Sequence, residues 1–267
     1  MYLLHTKRLE LQQFFDDQIP PYAILSHTWG KEEPRLQDMH NDNIKRLHGY
    51  KKIEHAAKQA AQDGLEFVWI DTICIDKTSS AELSEAINSM FRWYAQSRVC
   101  YAYLEDVERS ANFTESRWFT RGFTLQELLA PKQLVFYNKR WDWLGEKTTE
   151  YLVPKICMAC GIFIEDQHVL TDFQPGKWSV ATRMSWASTR QTTRREDIAY
   201  CLLGIFNINM PLLYGEGDRA FFRLQEEIMR VSDDRSLFAW PSLRIRKTSN
   251  TGETSGHSEP EIRKPAW

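Results

Sequence analysis

From Tyr22 to Asn138, apolar and polar positions fall into two alternating rhythms. The run Tyr22-Ala23-Ile24-Leu25 is short and continuously apolar, the form of a strand buried on both faces. It gives way at once to Ser26, His27, Thr28, Trp29 and Gly30. In "KKIEHAAKQAAQDG" the positions Ile53, Ala56, Ala57, Ala60 and Ala61 share one helical face, and Gly64 is placed to stop that helix. "FVWID" is again a buried-strand run. "SSAELSEAINSMFRWYAQS" opens with Ser79 and Glu82 at capping-box spacing, then holds Leu83, Ala86, Ile87, Met90, Phe91, Tyr94 and Ala95 at helical spacing. "RVCYAYLEDV" predicts a third strand. "RWFTRGFTLQELLAP" predicts a short helix stopped by Pro131, and "QLVFYN" a fourth strand.

Strands alternating with amphipathic helices predict an α/β fold, an open parallel sheet flanked by helices in the flavodoxin manner. Right-handed crossovers then bring every strand's carboxyl end to one edge, where such sheets bind ligands. Ser26–Gly30, Asp71–Asp76 and Glu105-Asp106 should meet there, although they are distant in sequence. From residue 151 to about 243 the pattern changes. "REDIAYCLLGIF" and "GDRAFFRLQEEIMRV" read as helices, the second with Phe221, Leu224, Ile228 and Val231 on one face. "LYGEG" follows Pro211 rather than a strand, so it reads as a turn before a helix and not as a phosphate loop. The organisation expected is an α/β domain over 1–150, a helical annex over 151–243, and a polar tail or linker over 244–267.

Composition adds exclusions. A formal charge of -2 gives no electrostatic case for nucleic-acid binding. The first residues lack the apolar core of a signal peptide, and no run reaches membrane-spanning length, so a cytoplasmic protein is expected. The five cysteines are odd in number and mostly set in apolar runs, which fits buried free thiols in a reducing compartment. Cys157 and Cys160 form a lone C-x-x-C without a second pair, so no metal is expected.

Three stretches taken together, "YAILSHTWG", "FVWIDTICIDKTSSAELSEAINSMFRWYAQS" and "RWFTRGFTLQELLAP", resemble the fungal heterokaryon-incompatibility (HET) domain. "RMSWASTRQTTRREDIAYCLLGIFNINMPLLYGEGDRAFFRLQEEIMR" is similar to the extension that often follows it. A more distant resemblance is to Toll/interleukin-receptor (TIR) domains. They share a first strand running into a polar glycine-containing loop, a second strand ending in Asp, a helix of the type "ELxxAIxxS", matched by Glu82–Ser89, and a short helix in which an aromatic precedes a glutamate. Here that last element reads "FTLQE", with Phe123 and Thr124 where TIR domains often carry Trp-Cys. The HET resemblance implies a cell-death effector of non-self recognition, innate-immune in character. The TIR resemblance implies hydrolysis of NAD as substrate, with no separate cofactor, Glu127 as the catalytic carboxylate and self-association as part of activation. A sensor domain or partner protein would then supply the trigger.

Breaking the bond between ribose C1 and nicotinamide releases a neutral leaving group, so one carboxylate facing an oxocarbenium-like transition state is chemically sufficient. Trp29 or Trp118 would stack a base or the nicotinamide, while Ser26, Thr28 and the Gly30 backbone would reach ribose or phosphates. Each residue also has a plainer reading. Thr124 and Glu127 stand at capping-box spacing, so Glu127 would then only cap its helix. His27 and Cys74, oriented by Asp71, would make a Cys-His nucleophile; alternatively Cys74 is an ordinary buried thiol and His27 bonds Asp71. Asp71 would contact ligand or tie loop amides, and Arg121 would pair with a phosphate or with Glu127. The run Arg194–Asp197 reads as a solvated helix start. Beside the enzyme stands a second function, a non-enzymatic death-effector module acting by self-association or partner contacts.

Overall fold

The computed structural model describes residues 1–15 and 18–239; the polar tail expected from residue 244 lies outside them. Four parallel strands form the centre of the sheet: β3 (Tyr22–His27), β4 (Phe67–Ile70), β5 (Val99–Tyr103) and β6 (Leu134–Tyr137). They follow β1 (Tyr2–His5) and β2 (Leu11–Gln13) and precede β7 (Trp143–Glu146), in the sheet order β2-β1-β4-β3-β5-β6-β7. The parallel core has the predicted members and the predicted reason: each of the four is buried along its whole length. Chain order steps from β3 to β4 on one side, then back across β3 to β5 on the other. That reversal makes the carboxyl ends of β3 and β5 the topological switch point of the sheet.

The three antiparallel strands β1, β2 and β7 were not predicted. They are only three or four residues long, and two of them carry polar or glycine residues that blur the alternation, as in Leu11-Gln12-Gln13 and Trp143-Leu144-Gly145-Glu146. β1 pairs antiparallel with β4 and closes that edge, and β7 does the same for β6. A second difference concerns the end of β3. Ser26 and His27 belong to the strand, paired with Ala102 and Tyr103, rather than to the loop after Leu25.

α1 (Tyr50–Gln62) packs on one face of the sheet through Ile53, Ala56, Ala57 and Ala60, and Gly64 follows it at φ +79°, where glycine alone is unstrained. α2 (Ser80–Gln96) covers the opposite face, its start capped by Ser79 Oγ accepting from Glu82 N at 3.3 Å. Tyr94 from α2 donates to the Leu25 carbonyl at 3.1 Å, and its ring meets Trp69 of β4 edge-on. α3 (Thr124–Leu129) lies beside α2, and all six of its residues are buried.

The annex is helical as expected: α4 (Val153–Cys160), α5 (Val180–Ala187), α6 (Asp197–Tyr200), α7 (Leu203–Phe206) and α8 (Arg219–Val231). Its apolar side chains join those of the sheet in one buried cluster that includes Trp118, Phe136, Ile156, Trp186 and Tyr200. α8 buries Ala220, Leu224 and Ile228, whereas Val231, at the last position of the helix, is 67% exposed instead of sharing the buried face. At Gly204 in α7 an added Cβ would overlap Phe91 Cβ of α2. Gly to Ala inside a helix ordinarily stabilises by up to about 1 kcal/mol. Here the obstacle is the root of the Phe91 side chain, so overpacking dominates. Gly204→Ala is expected to lower stability by about 1–3 kcal/mol in denaturant titration, opposite in sign to the propensity effect.

Candidate functional site

A cavity of about 320 Å³ opens at the carboxyl ends of the parallel strands, between the sheet edge, α2, α3 and the annex. Its floor is apolar, made by Leu83, Ile87 and Met90 of α2 with Ile75 and Phe123. Polar groups converge from the rim: His27, Trp29, Asp71 and Lys77 on one side, Arg121, Thr124 and Glu127 from the α3 segment, and Thr193, Arg194, Asp197 and Tyr214 from the annex. An apolar floor with a few directed polar groups is the usual form of a small-molecule site.

Glu127 is held by contacts that local capping does not explain. The residue before α3, Phe123, is already helical and makes no side-chain cap, and Thr124 Oγ1 donates to the carbonyls of Trp118 and Arg121 instead. The capping-box reading of Glu127 is thereby overturned. Its carboxylate accepts from Ser26 Oγ at 2.5 Å, and Ser26 Oγ accepts in turn from Trp118 Nε1 at 2.8 Å. The residue is only 6% exposed. Burial raises its carboxyl pKa, the Ser26 bond opposes this and the Asp71 charge adds to it; the result is pushed up to about 8.

The short helix that carries Glu127 is clamped at both ends by cations not singled out in the sequence. Arg190, 2% exposed, donates to the Arg121 carbonyl and to Thr124 Oγ1, both at 2.9 Å, at the amino end of α3. At the carboxyl end Lys147, 1% exposed, donates to the carbonyls of Leu128 at 3.1 Å and Pro131 at 2.5 Å. Both are isolated basic residues in sequence, and nothing local in their surroundings marks them as buried.

Asp71 gathers the opposite wall. His27 Nε2 and Trp29 Nε1 donate to its two oxygens at 2.9 and 2.8 Å, and Lys77 Nζ lies 3.9 Å away. Burial pushes this carboxyl up, yet Lys77, His27 and Trp29 together outweigh it and hold it well below the usual carboxylate range. Lys77 also sits 3.7 Å above the Trp29 ring. The expected bond from His27 to Asp71 is present, but the Cys-His nucleophile does not form: Cys74 Sγ accepts from Ile70 N, and burial raises its thiol pKa to about 12.

Three further expectations change. Trp118 is fully buried against Phe119 and Phe136, so it anchors Ser26 and offers no stacking face. Ser26 is itself fully buried and reaches the site only through Glu127. The Gly30 N–H donates to Glu33, whose carboxylate also pairs with the buried Lys52; Lys52 in turn holds the Thr28 carbonyl. That loop's backbone is therefore tied within the protein. Arg121 lines the cavity and donates to Thr193 Oγ1 at 3.3 Å. The Arg194–Asp197 run is only in part a solvated helix start. Arg194 lies over the Tyr214 ring at 4.5 Å, Asp197 accepts from the Tyr214 hydroxyl at 2.9 Å, and Glu196 pins the "LYGEG" turn by accepting from the N–H groups of Gly215 and Gly217. Among the described residues, no group of three or more His, Cys, Asp or Glu is placed to hold a metal ion, and all five cysteines are free and buried.

Residues 22–112 match the family model of the heterokaryon incompatibility protein (HET). The chain is similar to the vegetative incompatibility protein HET-E-1 of Podospora anserina, with 44% identity over 243 residues. That match covers 82% of this chain and 17% of the relative, so the chain spans about a sixth of that protein's length. Residues 219–266 match a domain of unknown function (DUF8212), of which 219–239 are among the described residues. No solved structure matches the chain.

The raised pKa of Glu127 is also a statement about stability. Its folded value, about 8, lies above the ordinary 4.5, so the folded state favours the neutral carboxyl. The resulting stability is fully present below about pH 4.5 and is lost as pH rises through about 8. Glu127→Gln keeps the shape without the charge. It is expected to leave the melting temperature nearly unchanged at about pH 5 and to raise it at about pH 9, where removing the buried charge approaches about 4 kcal/mol. Thermal melts of both proteins across that range check this.

Proposed function

We propose that this HET domain is a cytoplasmic cell-death effector of fungal heterokaryon incompatibility, working as a TIR-like NAD hydrolase that cleaves the nicotinamide–ribose bond. The observation that carries the reading is the Glu127 carboxyl at the wall of an apolar-floored cavity, at the sheet edge where open α/β folds bind ligands. The sheet order of the four parallel strands supports it, because that order sets the switch point beside the same cavity. Among the described residues no helix is long and apolar enough to cross a membrane.

In this reading Glu127 acts as the ionised carboxylate. Nicotinamide leaves as a neutral ring, so no group has to protonate it; water adds to ribose C1 in its place and gives up its proton to solvent. As the bond lengthens, positive charge moves onto the ribose, and a carboxylate in a low-dielectric pocket stabilises that charge more strongly than water does. Ser26 and Trp118 fix where the carboxylate stands. A cationic nicotinamide docked beside Glu127 favours its ionised form, so substrate binding draws out the charge that the reaction needs. His27 and Trp29, tied together through Asp71, form the facing wall. Self-association completes the site, and a partner or sensor region delivers the trigger.

One observation favours the alternative, a non-enzymatic module: α8 presents Phe222, Met229 and Val231 to solvent at 62%, 47% and 67% exposure. The readings separate experimentally. With concentrated or artificially clustered protein, NAD is consumed by the wild type and consumption falls by at least about a hundredfold in Glu127→Ala and Glu127→Gln that fold normally. The kcat/KM of the wild type rises with pH through a midpoint near 8, as the carboxyl ionises. Killing that survives Glu127→Ala with NAD levels intact, but is lost on Phe222→Ser or Met229→Ser, supports the module instead.

A further inference from the structure

Two arginines at the rim of the cavity have no carboxylate partner. Arg121 and Arg194 both line it, and among the described residues neither has an acidic oxygen within 4.0 Å. They are neighbours in space: the Arg121 guanidinium donates to Thr193, the residue before Arg194, and Arg121 forms an isolated bridge with Gln191. The Arg194 guanidinium rests on the Tyr214 ring, which orients it without consuming its N–H donors. The nearby carboxylates feel these arginines only at a distance, Asp197 both of them and Glu127 Arg121, and make their bonds elsewhere. Asp197 accepts from Tyr214, Glu127 accepts from Ser26, and Asp71 holds His27, Trp29 and Lys77. Two oriented guanidiniums with spare donors, at the mouth of an apolar cavity, suit a ligand oxyanion, and a phosphate has enough oxygens to accept from both.

We infer that Arg121 and Arg194 form a phosphate clamp, which makes the ligand of this cavity a phosphorylated nucleotide rather than a nucleoside or a free base. The flat ring of such a ligand lies on Leu83, Ile87 and Met90, and its phosphate spans the two arginines at the rim. Arg121 precedes α3, whereas Arg194 belongs to the annex. The site is thus composite, and the HET-matched segment, residues 22–112, contains neither arginine. The inference deepens the NAD-hydrolase reading, since it assigns the diphosphate contact of the same site, but it concerns binding and not cleavage.

The test uses the full chain carrying Glu127→Gln, so that no turnover interferes, and titrates NAD, inorganic pyrophosphate and nicotinamide riboside calorimetrically. Arg121→Gln and Arg194→Gln are added singly. Both variants are expected to fold, because the structural bonds at these positions run through the backbone carbonyls, which accept from Arg190 and Thr192. Thermal melts confirm it. NAD and pyrophosphate affinities are expected to fall about tenfold per arginine, with nicotinamide riboside unaffected. Equal affinity of the arginine variants and their parent for NAD overturns the clamp, as does failure of pyrophosphate to bind the parent at millimolar concentration. A separate assay of NAD cleavage, with Glu127 intact, keeps the two readings apart. Cleavage with a KM indifferent to both arginines removes the clamp and leaves the hydrolase. Arginine-dependent NAD binding without cleavage removes the hydrolase and leaves the clamp.

Discussion

The burial of one carboxyl group, Glu127, organises much of this molecule. A carboxylate is costly to bury unless it is hydrogen-bonded, and here the bonds come from Ser26 on the first parallel strand, itself held by the Trp118 indole. The helix that presents Glu127 has only six residues, too few to be stable alone. It stands because Arg190 engages its amino end, Lys147 its carboxyl end, and all of its side chains are packed. Both clamps are themselves buried cations whose pKa values burial lowers, that of Lys147 to about 8. The structure thus concentrates several unfavourable desolvations around a single short helix. Such concentrations are more frequent at functional sites than elsewhere in a fold.

That arrangement ties the annex to the α/β part. Arg190 reaches α3 from the annex, Gly122 leaves room for Thr192 and Cys201, and Gly204 lets α7 lie on α2. The cavity wall is built from both segments, with Arg121 and Glu127 from the α/β part and Arg194, Asp197 and Tyr214 from the annex. The helical annex is therefore part of the architecture of the site. The HET-matched segment, residues 22–112, ends before Glu127, Lys147 and Arg190 alike.

Much of the fold was legible because four strands and three helices carry strong periodicity: FVWI is apolar throughout, and the α1 stripe of Ile53 and alanines fits a helix alone. The edge strands were hidden by brevity and by polar content, as in Leu11-Gln12-Gln13. Site residues divided along a similar line. Glu127, His27, Trp29, Asp71 and Arg121 were marked by topology and by resemblance, and all five line the cavity. Ser26, Gly30, Cys74 and Trp118 were marked by the same reasoning, but they do internal work, as donor to Glu127, loop tie, packed thiol and indole anchor. Arg190, Lys147, Lys77 and Tyr214 were missed because their importance depends on partners remote in sequence, such as Lys147 with Leu128 or Tyr214 with Asp197.

The central physical claim is that Glu127 is a buried carboxyl poised near neutrality by its surroundings. Titration of its side-chain carbon by NMR, with selectively labelled glutamate and the Glu127→Gln protein to assign the resonance, measures this directly. A midpoint near 8 is the predicted result. A midpoint near the ordinary glutamate value of about 4.3 would contradict the account, because burial of Glu127 would then not favour its neutral form.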